Sequence, residues 1–395
     1  MTAPISLNRR LFLGAAGVSL AFAGRASAQS AAGPRNKMVV IIARGAMDGL
    51  SVTVPYGDAN YVPLRAGLAI AAPGQPNGAL ALSEGFGLHP SLAGLHGLHA
   101  AGQMRFAPAV AIPARIRSHF DAQDVLENGG EGLRQQTDGW LNRALAASGA
   151  RYHGLSIGAQ TPLILRGSAP TSSWAPGGKI EGGDRIASLL QDLYVDDPML
   201  GTNLARGLET EQMAMVAGDA TVRRNDVAGL GAAVARLMAG DQGADLVALS
   251  IDGWDTHARQ LGQLQTRLTG LDQVIGGLHQ GLGNDWDRTV VVVATEFGRT
   301  ARANGTQGTD HGTGSSLLLA GGALKRGGPN SGMVGDWPTL AEAKLFEDRD
   351  LTPTLDVRSV FKGVLRDHMG VDRAALDNRV FPGSAAEAPA YDGLV

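Results

Sequence analysis

The chain predicts a doubly wound, mostly parallel α/β sheet flanked by helices, and three observations point to it. The apolar runs Met38 to Ala43, Leu246 to Ile251, Val290 to Ala294 and Leu317 to Ala320 lack polar alternation, as strands covered on both faces do. Strand-like and helix-like segments alternate along the chain, the pattern of crossover connections between parallel strands. Finally, 56 glycines among few aromatics imply many tight loops around a compact scaffold. At 395 residues there is enough chain for one large α/β domain or two smaller ones.

Taken in order, "KMVVIIARGAMDGLSV" gives a buried strand opening into a glycine-rich loop that carries Asp48. "HPSLAGLHGLHAAG" has Leu92, Leu95 and Leu98 at helical spacing and stops at Gly102. "MRFAPAVAIP" is a second strand, and "SHFDAQDVLENGG" a helix from near Ser118 to Gly129. In the middle, "GLSIGAQTPLILRG" suggests short strands, "SSWAPGG" a loop, and 199–239 helix. Two further strand, loop and helix units start at Leu246 and Val290, with the helix of the first expected to start near Thr256. The tail from 381 to 395 reads as a surface extension.

The N-terminus is a different kind of segment. Arg9 and Arg10 precede an apolar stretch from Leu11 to Phe22, and a small-residue A-x-A site ends at Ala28. That stretch is too short and too rich in glycine and alanine for a membrane span. Arg9, Arg10, Phe12 and Leu13 resemble a twin-arginine export signal, so residues 1–28 are expected to be cleaved from a periplasmic or secreted protein with no stable membrane insertion. Cleavage removes three of 34 basic residues and no acids, leaving 31 against 37, a net charge of −6. That sign argues against nucleic acid as a partner. With no cysteine, thiolate metal sites and disulfides are excluded.

Ligands of open α/β sheets bind beyond the carboxyl ends of the strands. There this chain gathers Asp48, then Asp252, Asp255 and His257 of "DGWDTH", then Glu296 and Arg299, and finally Asp310 and His311 before the last strand. So many carboxylates would repel without compensation, and a divalent cation resolves the conflict. Carboxylates mixed with imidazoles suit zinc, manganese or iron better than calcium. Asp252 and Asp255 also have a reading as helix caps, and Asp48 as a turn residue. Ser118 and His119 open a helix, where an anion is favoured; Ser118 is a candidate nucleophile or simply an N-cap.

"GAMDGL", "SHFDAQD", "DGWDTH" and "TEFGRT" followed by "GTDHGTGSSLLLAGGALKRG" resemble the bacterial domain of unknown function 1501 family across nearly the whole mature chain. That family is similar to the alkaline phosphatase and sulfatase superfamily. The resemblance implies one domain over 36–380, Ser118 as nucleophile, and Asp48, Asp252 or Asp255, His257, Glu296 and His311 as ligands. Arg299 is expected to steady the charged oxygens, and a small-molecule or glycan ester is the expected substrate. One or two ions are implied, zinc first, with manganese or calcium as alternatives. Where the superfamily has Asp-His or Asp-Asn, this chain has Glu296 and Phe297, so the metal centre is altered, with His119 a candidate substitute. "SHFDA" does not fit the formylglycine motif of sulfatases. The expected activity is hydrolysis of phosphate or sulfate esters. A non-catalytic binding or assembly protein on the same scaffold is the alternative.

Overall fold

A computed structural model describes residues 34–395, apart from 84, 150, 159, 241–242, 326–331 and scattered positions between 178 and 225. The expected signal segment, 1–28, lies outside the described residues, as does much of the helix expected over 199–239. Eleven strands are described, β1 (Lys37–Arg44), β2 (Thr53–Val54), β3 (Leu80–Ala81), β4 (Gly87–Leu88), β5 (Met104–Ala111), β6 (Gly154–Ile157), β7 (Thr171–Trp174), β8 (Leu246–Asp252), β9 (Thr289–Ala294), β10 (Ser315–Ala320) and β11 (Leu355–Asp356). The main helices are α1 (Ala93–Ala100), α2 (His119–Asn128), α3 (Trp140–Ala147), α4 (Val227–Met238), α5 (Gln260–Leu282) and α6 (Val357–Asp367).

The main sheet has eight strands in the order β11-β5-β10-β9-β1-β8-β6-β7, while β2, β4 and β3 form a small antiparallel sheet. The central strand β1 is parallel to both neighbours, β8 and β9. Among the described strands of the large sheet only β10 runs against its partners, β5 and β9. The unbroken apolar runs have their explanation in β1. Met38, Val40 and Ile42 enter one core with α2, α3 and α6, whereas Val39, Ile41 and Ala43 enter the other with α1, α4 and α5. Successive side chains point to opposite faces, so a strand with helices on both sides needs apolar residues at every position.

Several sequence expectations are corrected. Ser172 to Trp174, expected in a loop, form β7, an edge strand pairing with β6. The long helix α5 begins at Gln260 and not near Thr256, so Asp252 and Asp255 cap nothing there. The segment 381–395 is not a surface tail. Leu394, Ala388 and Phe381 are fully buried, and the Leu394 carbonyl accepts from the Lys325 backbone at 3.0 Å. Its few large apolar residues are scattered among alanine, proline and glycine with no strand or helix period, yet they fill the core beside α6. Residues 36–395 form one compact unit. Among the described residues no helix is long and apolar enough to cross a membrane.

Candidate metal centre

The parallel register brings the strand ends to one rim. Ile42 of β1 lies level with Ala294 of β9, and Ala43 with Ile251 of β8. The loops after these three strands are therefore neighbours, and the loop entering the reversed strand β10 joins them from the other direction. Packing between the loops is close. Gly45 has φ +114°, and a Cβ there would lie 2.6 Å from the Asp255 nitrogen. Only glycine allows the β1 and β8 loops to touch in this way. Trp254, fully buried with its indole donating to the Ile251 carbonyl at 2.8 Å, anchors the "DGWDTH" loop and turns Asp255 and His257 outward.

Four side chains meet at this rim. The donor atoms of His119, Asp255 and His311 all lie within 4.8 Å of one another. His311 Nε2 is 3.0 Å from His119 Nε2, 3.0 Å from His257 Nε2 and 3.2 Å from Asp255 Oδ1. His257 Nε2 is itself 3.0 Å from Asp255 Oδ1.

The far side of each ring fixes its proton. His119 Nδ1 faces Glu296 Oε1 at 2.8 Å, His311 Nδ1 faces the Arg117 carbonyl at 2.8 Å, and His257 Nδ1 faces Asp310 Oδ1 at 3.3 Å. Since none of these oxygens carries a hydrogen to give, each Nδ1 must donate. Neutral rings held in this way present three Nε2 lone pairs to a common space, next to a carboxylate. Such a convergence is repulsive unless a proton sits on one ring or a cation sits among them.

The charges agree with that picture. The hydrogen bond that His119 donates to Glu296 raises the His119 pKa, outweighing burial, while burial lowers that of His311 and disfavours its charging. Burial alone would raise the Asp255 pKa, but the Arg299 hydrogen bond and charge hold it below its ordinary value. Glu296 is likewise kept ionised against its burial by His119, Gln123 and the Gly45 amide. Phe297 fills the back of the site, stacking on His119 at 4.9 Å between ring centroids. The residue that displaces a polar ligand from the expected motif thus fixes the plane of a neighbouring imidazole.

Not every candidate joins the cluster. Asp48 is sealed behind it, paired with Arg65 through two hydrogen bonds of 2.6 and 2.8 Å and accepting also from Ser51 and Gln260. Asp252 is exposed at the end of β8, opposite Arg44 in the register, and forms no hydrogen bond or ion pair with the four among the described residues. Glu296 has its oxygens taken by His119, Gln123, Gly45 and Thr295, so it orients a ligand from behind. Arg299 is buried, and Nε, Nη1 and Nη2 donate to Thr309 Oγ1, Asp255 and the Thr309 carbonyl. Its guanidinium is thus engaged by protein groups at all three nitrogens. Ser118 is exposed, precedes His119 at the N-cap of α2, and makes no capping hydrogen bond with its side chain.

Sequence reasoning missed Arg65, Gln123, Gln260 and Thr309. The one available signal was Asp48 itself, since an acid that follows a buried strand needs a countercharge. No spacing rule, however, connects residue 48 with 65 or 260.

The donor set fits a divalent transition metal. Imidazole nitrogens with one carboxylate suit zinc and its neighbours, and hydrogen-bonded Nδ1 groups are the usual outer partners of such ligands. Among solved structures, the chain is similar to alkaline phosphatase from the Antarctic bacterium TAB5, at 11% identity, covering 76% of this chain and 94% of that one, with TM-score 0.37. The C-terminal periplasmic domain of EcEptC from Escherichia coli, in complex with Zn, is similar at 10% identity over 89% and 87% of the two chains, with TM-score 0.37. Ps i-CgsB in complex with k-i-k-neocarrahexaose is similar at 10% identity over 90% and 77%, with TM-score 0.40. Likenesses of that size say nothing about chemistry. A search of curated proteins finds no match. The family described as "Protein of unknown function (DUF1501)" matches residues 35–380, and with that span of the fold and its rim included, the chain belongs to this family.

Proposed function

We propose that the protein is an exported hydrolase of phosphate or sulfate esters that works with a divalent metal ion, zinc first, held by His119, Asp255, His257 and His311. The observation that supports this reading is the convergence of three Nε2 atoms, each with its Nδ1 proton tied to a fixed oxygen, on one carboxylate. A divalent ion bound there would polarise an ester oxygen as a Lewis acid and lower the pKa of an attacking hydroxyl.

The chain's own groups supply the rest. Three neutral imidazoles and one carboxylate leave part of a dication's charge uncompensated, which favours an anionic ester over a neutral one. Ser118 is the nucleophile in this reading; its free hydroxyl adjoins His119 at a helix N-terminus, where unpaired N–H groups and the helix dipole favour an anion. Glu296, the Arg117 carbonyl and Asp310 hold the three rings in one tautomer. Arg299 keeps Asp255 ionised and aimed.

The test combines composition with turnover. Metal content of the purified chain is measured beside that of His257→Ala and His311→Ala, and aryl phosphate and sulfate esters are offered with added zinc or manganese. The proposal expects metal in the wild type, its loss in both variants, and turnover that depends on Ser118. Metal content untouched by both substitutions removes the centre. A metal-loaded chain that turns over neither ester favours a binding protein.

A further inference from the structure

Asp48, expected as a ligand, sits at one end of an unbroken buried hydrogen-bond chain. Its oxygens accept from Arg65 Nη1 and Nη2 at 2.6 and 2.8 Å, and from Gln260 Nε2 at 2.5 Å. Gln260 Oε1 accepts from Thr309 Oγ1 at 2.6 Å and from Thr256 Oγ1 at 2.9 Å. Thr309 Oγ1 then accepts from Arg299 Nε at 3.2 Å, and Arg299 Nη1 donates to Asp255 Oδ1 at 2.6 Å. Asp48, Arg65, Gln260, Thr309 and Arg299 are all buried.

The direction of every bond in this chain follows from its first member. A carboxylate can only accept, so the Gln260 amide must turn its NH₂ toward Asp48 and its oxygen toward the threonines. Both threonine hydroxyls must then donate to that oxygen. Thr309 Oγ1 is left with a lone pair for Arg299, whose guanidinium is thereby pinned in the plane that reaches Asp255. Arg65 neutralises Asp48 with a bidentate pair, and Ser51 and Gln260 also donate to Oδ2, so both oxygens of this buried carboxylate already have protein partners. Among the described residues only one group of three or more potential donors can surround a metal, and Asp48 is not in it.

We propose that Arg65 is a built-in cation that withdraws Asp48 from coordination, so that the rim holds one metal ion, and that the relay from Asp48 through Gln260 and Thr309 to Arg299 positions Asp255 as its ligand. This inference rests on the metal centre proposed above and concerns its stoichiometry and the positioning of Asp255.

The experiment titrates the full chain, freed of metal with a chelator, with zinc; bound zinc per chain is read by mass spectrometry and affinity by competition with a chromophoric chelator. The wild type is expected to bind one zinc. Thr309→Val, which keeps the shape and loses the hydroxyl, is expected to bind one zinc about 10–100-fold more weakly, the loss typical of an outer partner. Thr309→Ser, which restores the hydroxyl, is expected to restore wild-type affinity, an outcome that a purely space-filling role would not produce. If Thr309→Val does not fold by circular dichroism, Gln260→Met is measured in its place, with the same weakening expected. Two zinc ions per wild-type chain, or relay variants that bind as tightly as wild type, overturn the inference and leave the proposed centre standing. A folded wild type that binds no zinc instead overturns the metal centre, and this inference with it.

Discussion

Asp48 and Asp255 follow neighbouring parallel strands, β1 and β8, and face the same rim, yet Asp48 is 1% exposed and Asp255 42%. Around Asp48 both oxygens and the charge have protein partners: Arg65, Ser51 and Gln260 surround it. Around Asp255 one cation, Arg299, comes from inside, and from outside come imidazole nitrogens that have no proton to offer it in their neutral form. A fully satisfied buried charge serves the fold, because breaking it is costly and nothing can enter. A half-open cluster with converging lone pairs lowers no folding energy by itself. Its arrangement makes sense only if something positively charged arrives.

The contrast can be broken or sharpened at several points. The largest effect is expected at the sealed site. Arg65→Met leaves a buried carboxylate unpaired and should cost about 3–5 kcal/mol of stability, measured by denaturant unfolding of the metal-free chain. A loss under ~1 kcal/mol would mean that Asp48 is not sealed as described.

The next effect is a pH dependence on the sealed side. His89 is buried, accepts from the Ser91 backbone at 3.1 Å through Nδ1, and has its pKa lowered to about 4 by burial, with Asp48 pulling the other way. A histidine depressed in the fold contributes its full stability above the unfolded pKa near 6.5. That contribution, at most about 3 kcal/mol, should disappear as the pH falls from about 6.5 toward 4. His89→Asn, which keeps an acceptor but does not titrate in this range, should show a correspondingly flatter profile in urea melts at several pH values.

At the open site, Glu296→Gln weakens the acceptor that fixes the His119 tautomer. Zinc affinity should fall about 10–100-fold, with the stoichiometry unchanged in a competition titration. The smallest effect is expected for Asp252→Asn, which should change stability by no more than about 0.5 kcal/mol and leave metal content as it was. A clear loss of metal in that variant would exchange the roles given to Asp252 and Asp255.

Much of the scaffold was legible because it depends on local patterns. The runs at 38–43, 246–251 and 290–294 are β1, β8 and β9, and the helix expected between Ser118 and Gly129 is α2, with Gly129 at φ +70° ending it. β7 and the C-terminal segment were not legible, because neither has a sustained apolar run of its own: β7 is set by pairing with β6, and the C-terminal segment by packing on α6 and the Lys325 backbone.

The site divided in the same way. From the sequence alone come the residue types and the rim they occupy, since a strand's carboxyl end and its loop are set locally and parallel strands share a direction. That was enough to nominate His119, Asp255, His257 and His311 together with Asp48, Asp252, Glu296 and Arg299. Tertiary structure alone decided which of them face one another and which are compensated. A carboxylate's role depends on the charges and donors within a few ångströms, and for Asp48 those come from residues 51, 65 and 260, whose proximity exists only once the chain has folded.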